Sequence, residues 1–357
     1  ASPEQTGFVI GMWGVGRLLF IFPAGILADR LGARRVMIPA WYLGLTGVTI
    51  IALAPDWRWA APGFLVYGFS AAAIPVTNLY LTQSTQHDPT RSPALPLQAS
   101  LTLLWAAYSM GLVVSPAIGG IIGEAVNLRA VFLLSVVWFV FSTLAIHRTS
   151  PYPQAERPER GYDYRALLTQ WHILVTFGLL TLGFVATLIG QPLAPQYLEE
   201  VHGFSSGTVG AFGSVNALGT AVFSVLLGRL TAWRGFYACL GLVFVSFGLL
   251  LLTGAWPVVI VAYFLLGAYY TTRPLAAAVI STRVADHQRG MAYGLVDTLA
   301  GLATVIGTNL AGVLYAGDPD WPLITAMISV VVVAALGVVL LRQPAYHRPA
   351  AALAQVE

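Results

Sequence analysis

Eleven stretches of this chain are long enough and apolar enough to cross a bilayer, and that constrains its fold more than any motif. They run approximately over 7–28, 36–54, 60–81, 97–122, 130–147, 172–197, 207–230, 236–254, 257–281, 291–316 and 322–341. A hydrocarbon core about 30 Å thick needs roughly 20 mostly apolar residues as a helix. Composition agrees: 57% of the 357 residues are apolar and 9% are charged, with a mean hydropathy of +0.75. A soluble domain with so few charges could not cover its surface, which excludes soluble enzymes, nucleic-acid binders and disordered scaffolds. Long apolar runs without strict alternation point to helices and away from a β-barrel. The expected fold class is an all-α polytopic membrane protein.

Every basic residue is an arginine, and their placement orients the chain. Alternate loops hold fourteen of the 18: Arg30, Arg34, Arg35, Arg91, Arg148, Arg157, Arg160, Arg165, Arg229, Arg234, Arg283, Arg289, Arg342 and Arg348. The opposite loops hold only Arg58 and Arg129. The positive-inside rule puts the fourteen in the cytoplasm, together with the C-terminus, and leaves Ala1 outside. Acidic residues divide evenly and carry no orientation. Trp57, Trp59, Trp171, Trp233, Trp256 and Trp321 fall at span ends, as an interfacial belt requires. The net charge of +3 is therefore a topology signal, and no nucleic-acid partner is read into it. Cys239 stands alone within a span, where a thiol is inert packing.

The chain also matches itself. Gly25–Gly32 aligns with Gly228–Gly235 at an offset of 203. Gly68 and Pro75 align with Gly267 and Pro274 at 199. Ser115–Gly120 aligns with Gly307–Gly312 at 192. Three agreements in order imply two halves. The expected organisation is an N-terminal bundle of five spans over 1–147, a cytoplasmic linker over 148–170 and a C-terminal bundle of six spans over 171–357. The linker carries Pro151, Pro153, Pro158 and seven charges. The second half has one span before its Gly228 loop that the first half lacks. The first half is therefore expected to be missing its first helix.

Gly25, Asp29, Arg30, Gly32, Arg34 and Arg35 follow a pattern that resembles G-x-L-x-D-R-x-G-R-R, the loop between the second and third helices of the major facilitator superfamily. The resemblance covers the whole chain apart from that family's first helix. It implies twelve helices in two pseudo-symmetric bundles of six, of which eleven are present here. It also implies that Asp29 pairs with basic residues and a facing helix N-terminus, closing the cytoplasmic side as a gate. Gly25 and Gly32 are expected to allow close helix approach and a tight turn. The second copy has Ala232 and Trp233 in place of Asp29 and Arg30, so its gate lacks the same charge latch. Gly111, Ser115, Pro116, Gly119 and Gly120 resemble the G-x-x-x-G-P-x-x-G-G kink motif of drug antiporters, with Ser115 replacing a glycine. Against that reading, the family's drug–proton motif would place an arginine near Phe64, and none is there.

Three ionisable groups sit well inside spans: Arg17, Arg273 and Asp297. At 1.5 Å per residue they lie roughly 18, 15 and 12 Å from the cytoplasmic ends. Each costs at least about 2.5–3.5 kcal/mol at mid-membrane, so none is expected to face lipid unpaired. The functional reading places them on a central cavity, with Asp297 paired to Arg273 or Arg17 and that partner exchanged on protonation or substrate binding. The competing reading is a fixed interhelical salt bridge. Two cations against one anion favour an anionic or polarised substrate. Asn78, Gln98, Trp105, Tyr108, Gln191, Asn216, Tyr269 and Tyr270 are further cavity candidates, each open to a plain packing role. Pro274 is expected to break its helix beside Arg273.

Gly203–Gly207 matches G-x-S-x-G but begins a span, so Ser205 reads as an N-cap and not a nucleophile. Gly7-x₃-Gly11, Gly119-x₃-Gly123 and Gly290-x₃-Gly294 have helix-packing spacing. Without lysine there is no Walker A, and no metal-ligand cluster is apparent, so no cofactor is expected. The sequence thus points to a monomeric secondary transporter in a bacterial inner membrane. It would not be an enzyme. It would move a small molecule by alternating access on a proton or substrate gradient, with export the leading direction. Uptake or exchange of an organic anion is the alternative within transport. A non-transporting receptor on the same scaffold is the alternative outside it, and a channel would conduct far faster than a transporter's conformational cycle.

Overall fold

The computed structural model describes residues 2–87, 97–152, 170–284 and 289–341, and it is entirely helical there. The order is α1 (Pro3–Leu31), α2 (Ala33–Leu53), α3 (Trp57–Phe69), α4 (Ala73–His87), α5 (Leu97–Ala125), α6 (Leu128–His147), α7 (Trp171–Gly190), α8 (Ala194–Glu200), α9 (Ser206–Leu227), α10 (Ala232–Leu252), α11 (Trp256–Leu266), α12 (Ala268–Ser281), α13 (Arg289–Gly317) and α14 (Trp321–Leu341). Among the described residues ten segments qualify as spans by length and hydropathy, and α5 contributes a further apolar stretch at Met110–Ala125. The expected linker falls mostly on residues 153–169, and the C-terminal tail on 342–357. Both lie outside the described residues, as do the side chains of Asp29, Arg30, Gln98 and Trp105 within their helices.

Three of the eleven spans are interrupted, which makes fourteen helices of them. A 3₁₀ turn at Ser70–Ala72 separates α3 from α4, Gln191–Leu193 separates α7 from α8, and Gly267 separates α11 from α12. Pro75, Pro192 and Pro195 each lack the N–H that would continue the ladder, and a tighter turn takes up part of the deficit. Pro274 behaves otherwise than expected. It lies inside α12, and the break comes at Gly267. There Gly267 N–H donates to both the Tyr263 and Phe264 carbonyls. A glycine is needed at that point, because a Cβ would strike Asn216 O and Thr220 N of α9.

The helices cluster into two compact units. One comprises Phe8–Glu159 and Ser205–Ser214; the other comprises Ser2–Gly7, Arg160–Phe204 and Val215–Glu357. In the first unit α2 packs along α3 and α6. Gly47 admits the Tyr67 backbone, Gly44 admits the Phe139 ring, and Trp41 Nε1 donates to Ser142 Oγ at 3.1 Å. In the second unit α7 is the central post, with Phe184, Leu180 and Leu188 buried. Gly183 and Gly190 open pockets on α7 for Phe236 and Phe247 of α10.

The sequence repeat reappears as repeated packing. In the first unit Gly16 and Gly68 bring α1 onto α3; in the second, Gly219 and Gly267 bring α9 onto the α11–α12 break. These pairs are related by the offsets of 203 and 199 that the motifs share. Likewise Gly7 meets Gly312 in one unit and Gly210 meets Gly120 in the other, at offsets of 203 and 192. Helix association in lipid has no hydrophobic drive between helices, so backbone approach at small residues supplies the contact energy.

Two motif glycines do not act this way. Among the described residues, a Cβ on Gly25 or Gly111 would meet no heavy atom within 4 Å, so Gly25 makes no close approach there of the kind expected of it. Gly32 does make the tight turn, at φ 92° between α1 and α2, where an L side chain would be strained.

Candidate functional site: ionic groups within the spans

Arg273 reaches its place through α12, one turn after Tyr269 and Tyr270, and Asp297 through α13. Their side chains form an ion pair between Nη2 and Oδ1. Each is about one-third exposed, 32% and 35%. The exposed face of α12 continues through Tyr270, 43% exposed, and that of α13 through Tyr293, 40% exposed. Tyr270 stands one turn before Arg273 and Tyr293 one turn before Asp297, so two phenol rings share faces with the pair. Tyr293 had gone unremarked in the sequence, although its i, i+4 spacing to Asp297 was there to be read. Exposure of a lone charge to hydrocarbon would cost several kcal/mol, and the pairing of Arg273 with Asp297 offsets part of that cost.

Arg17 belongs to the other unit. It is 5% exposed, with its guanidinium carbon 4.6 Å from the centre of the Trp13 ring. One turn of α1 sets the two residues in register. A desolvated cation over an indole face is worth about 2 kcal/mol, which offsets part of the cost of burying the charge.

The weaker candidates scatter. Asn78 is half-buried on α4, Gln191 is half-buried in the α7–α8 break, and Tyr108 is 51% exposed on α5. Tyr269 and Tyr270 pack edge to face with ring centres 4.9 Å apart. Asn216 is buried, and its Nδ2 donates to the Tyr263 carbonyl at 3.1 Å, holding α9 to α11. Gln98 and Trp105 have side chains outside the described part.

At the other motifs, Arg34 Nη2 donates to the carbonyl of His147, the last residue of α6, at 3.1 Å, a favourable place for a cation at a helix C-terminus. Arg35 is exposed on the next position of α2. In the kink motif Pro116 lies within α5, Ser115 and Gly119 flank it, and Gly120 touches the α9 backbone. Ser205 caps α9 by accepting from Thr208 N–H at 3.3 Å. Cys239 is fully buried. Among the described residues no group of three or more His, Cys, Asp or Glu could hold a metal ion.

Comparison with known proteins decides the family. The sequence model of the Major Facilitator Superfamily matches residues 1–270 and again 175–355, together nearly the whole chain. The chain belongs to the Major Facilitator Superfamily. It is a transporter by family and not an enzyme. It is 25% identical over 342 residues to the tetracycline resistance protein, class C, of Escherichia coli, covering 88% of this chain and 81% of that protein. It is 27% identical over 347 residues to the multidrug efflux pump Tap of Mycobacterium tuberculosis, covering 88% and 79%. The inner membrane transport protein YajR of Escherichia coli is 23% identical over 328 residues, covering 87% and 69%. In fold it resembles the crystal structure of the nucleoside transporter NupG, at a TM-score of 0.79 and 14% identity over 94% of this chain and 91% of that one. A bacterial homologue of the human lysosomal transporter Spinster, in an inward-facing and occupied conformation, matches at 0.66 and 17% identity over 96% and 90%. Like these, the superfamily member described here is an integral multi-pass membrane protein that moves small molecules by secondary transport.

Proposed function

We propose that this superfamily member exports a small organic molecule in exchange for protons, and that the Arg273–Asp297 pair couples the two. The observation that carries the proposal is an internal control. At the offsets of 199 and 192, the first half has Ile74 and Trp105 in place of Arg273 and Asp297. The equivalent pair of helices, α4 and α5, therefore has no ionisable residue at these two positions, and packing alone does not call for one. A charge pair that the scaffold does not need, kept within two spans at several kcal/mol, is best explained by use. A proton taken up by the Asp297 carboxylate would neutralise it and free the guanidinium. Loss of that proton on the other side would restore the pair. The drug-exporting relatives support export as the direction.

A second reading, exchange of an organic anion, has one observation in its favour. Arg273 Nε is buried without a hydrogen-bond partner among the described residues, so the guanidinium has donor capacity beyond Asp297. The test uses inverted vesicles carrying the chain, with tetracycline and ethidium as probes and an acridine dye reporting proton flux. Export coupled to proton release is expected, and Asp297→Asn should abolish the proton flux. Unchanged coupled transport in Asp297→Asn removes Asp297 from the mechanism. Counterflow of a carboxylate with no proton movement would favour the second reading, and binding without exchange would mark a receptor.

A further inference from the structure

On the flank between α10 and α14 the two halves of the repeat are filled differently. Phe244 and Leu251 of α10 and the stripe from Ile324 to Val332 of α14 border an open groove of about 440 Å³, and every residue lining it is apolar. Ile324, Ile328, Val331 and Val332 are exposed along it. Gly248 stands between Phe244 and Leu251 on the same face of α10. Among the described residues, a Cβ on Gly248 would meet only Met327 Cε, at 3.5 Å. All these residues belong to one compact unit.

The first half shows how the same crossing can be closed. At the offset of 203, Trp41 and Leu45 of α2 correspond to Phe244 and Gly248. Counted from Asn127 and Asp320, the residues just before α6 and α14, the offset is 193, and Phe139 corresponds to Val332. The Phe139 ring lies over Gly44 of α2 and meets the Tyr67 ring edge to face at 5.9 Å. Trp41 ties α2 to α6 through Ser142. In the first unit, then, a ring and a leucine stand at the crossing. In the second, a valine and a glycine take their places and leave space along the helices. An unfilled space forfeits contact energy, so the groove is built to be filled from outside the chain.

We propose that this groove holds one acyl chain of a zwitterionic phospholipid. Depth selects a chain. Ile324 lies about 5 Å and Val332 about 17 Å along α14 from the span end at Trp321. The groove therefore runs from the interface to the middle of a hydrocarbon core about 30 Å thick, the reach of one leaflet's chains. Exposed Trp256 and Trp321 mark the headgroup level at its mouth. Charge selects the headgroup. At that end of the unit, segments 199–204, 253–255 and 318–320 carry Glu199, Glu200, Asp318 and Asp320 and no arginine. Tyr197 donates to Asp320 at 2.7 Å, and Tyr315 and Gln196 donate to Glu200 at 2.9 and 2.8 Å; neutral donors such as these do not cancel a charge. An anionic headgroup would meet like charge there, and the ammonium of a zwitterionic one meets opposite charge. A second copy of the chain fits less well, because helices associate in lipid through small residues and the exposed rim is isoleucine and valine. The inference goes beyond the coupling proposed for Arg273 and Asp297 and is tested without transport.

The test places the full chain in nanodiscs with phosphatidylethanolamine that carries a photoactivatable diazirine within its acyl chain, and maps the adducts by peptide mass spectrometry. Labelling of 244–251 and 324–332 should exceed that of the counterpart segments 41–48 and 131–139 about three- to tenfold, the gain of packed over unpacked chain contacts. Phosphatidylglycerol with the same labelled chain should mark 244–251 and 324–332 about three- to fivefold less, the effect of one like charge near the surface. Gly248→Leu and Val332→Phe restore the residues of the first half and should lower labelling to the level of the counterpart segments. Equal labelling of the two crossings, the pattern of ordinary solvation by lipid, overturns the site. So does phosphatidylglycerol that labels as well or better, and so does labelling that persists in both variants. Protection of both segments in discs that hold two copies of the chain would assign the groove to a second copy and also overturns it. Should a variant not fold, the wild-type comparison of the two crossings decides.

Discussion

Consider the removal of Asp297 by substitution with asparagine. The Arg273 guanidinium then remains in a membrane span without its counter-charge. Exposed pairs contribute about 0–1 kcal/mol, and breaking a fully buried pair costs about 3–5 kcal/mol. The two side chains are 32% and 35% exposed, which places the cost between those limits, at about 1–3 kcal/mol. Arg273→Gln should cost a similar amount for the same reason. The double variant removes both charges together, so its cost should fall short of the sum by about 1–2 kcal/mol. Thermal unfolding of the purified protein in detergent at neutral pH measures all three, and a difference of 1 kcal/mol moves the midpoint by a few degrees. Additivity within about 0.3–0.5 kcal/mol, the behaviour of independent sites, would refute the claim that these charges depend on each other. A double variant as stable as the wild type but inactive would place the pair in transport and outside the stability of the fold.

Two further outcomes follow from the glycines and the thiol. Gly16→Ala should lose at least about 2 kcal/mol, since its Cβ would press on the Leu65 carbonyl and Gly68. Gly25→Ala, a change in the motif itself, should be neutral or stabilising by up to about 1 kcal/mol, because no atom of the described residues lies within 4 Å of the new methyl; melting midpoints that rank the other way would contradict this assignment. Cys239, at zero exposure, should resist maleimide in the folded protein and react fully in denaturing detergent, and rapid native labelling would mean that α10 is not packed as described.

The parts of the candidate site differ in how far they could be read without coordinates. Arg17, Arg273 and Asp297 stand out in any hydropathy profile because charges inside spans are costly. Asp297 had two cations available at similar depth, and depth alone does not choose between them. The choice of Arg273 follows from α12 lying beside α13. Glu124, whose carboxylate accepts from Ser205 Oγ and Gly207 N–H at the start of α9, was still less visible. It lies in a loop-proximal turn with other acids that carry no topological weight, and its partners are 81 and 83 residues away. The break at Gly267 was obscured by the neighbouring proline, which α12 absorbs. The glycine break arises from the approach of α9, a contact remote in sequence.

By itself the sequence determined that the chain is a many-span helical membrane protein, that it repeats itself and that it carries the family motif. Each of these depends on a single segment's transfer into lipid or on comparing the chain with itself. Only the tertiary structure decided which glycines carry helix crossings, which cation answers Asp297 and which carboxylate ties α5 to α9. The physical reason is that a membrane helix is apolar on its lipid face and its protein face alike. Its composition therefore says that it spans and leaves open which neighbour each face will meet.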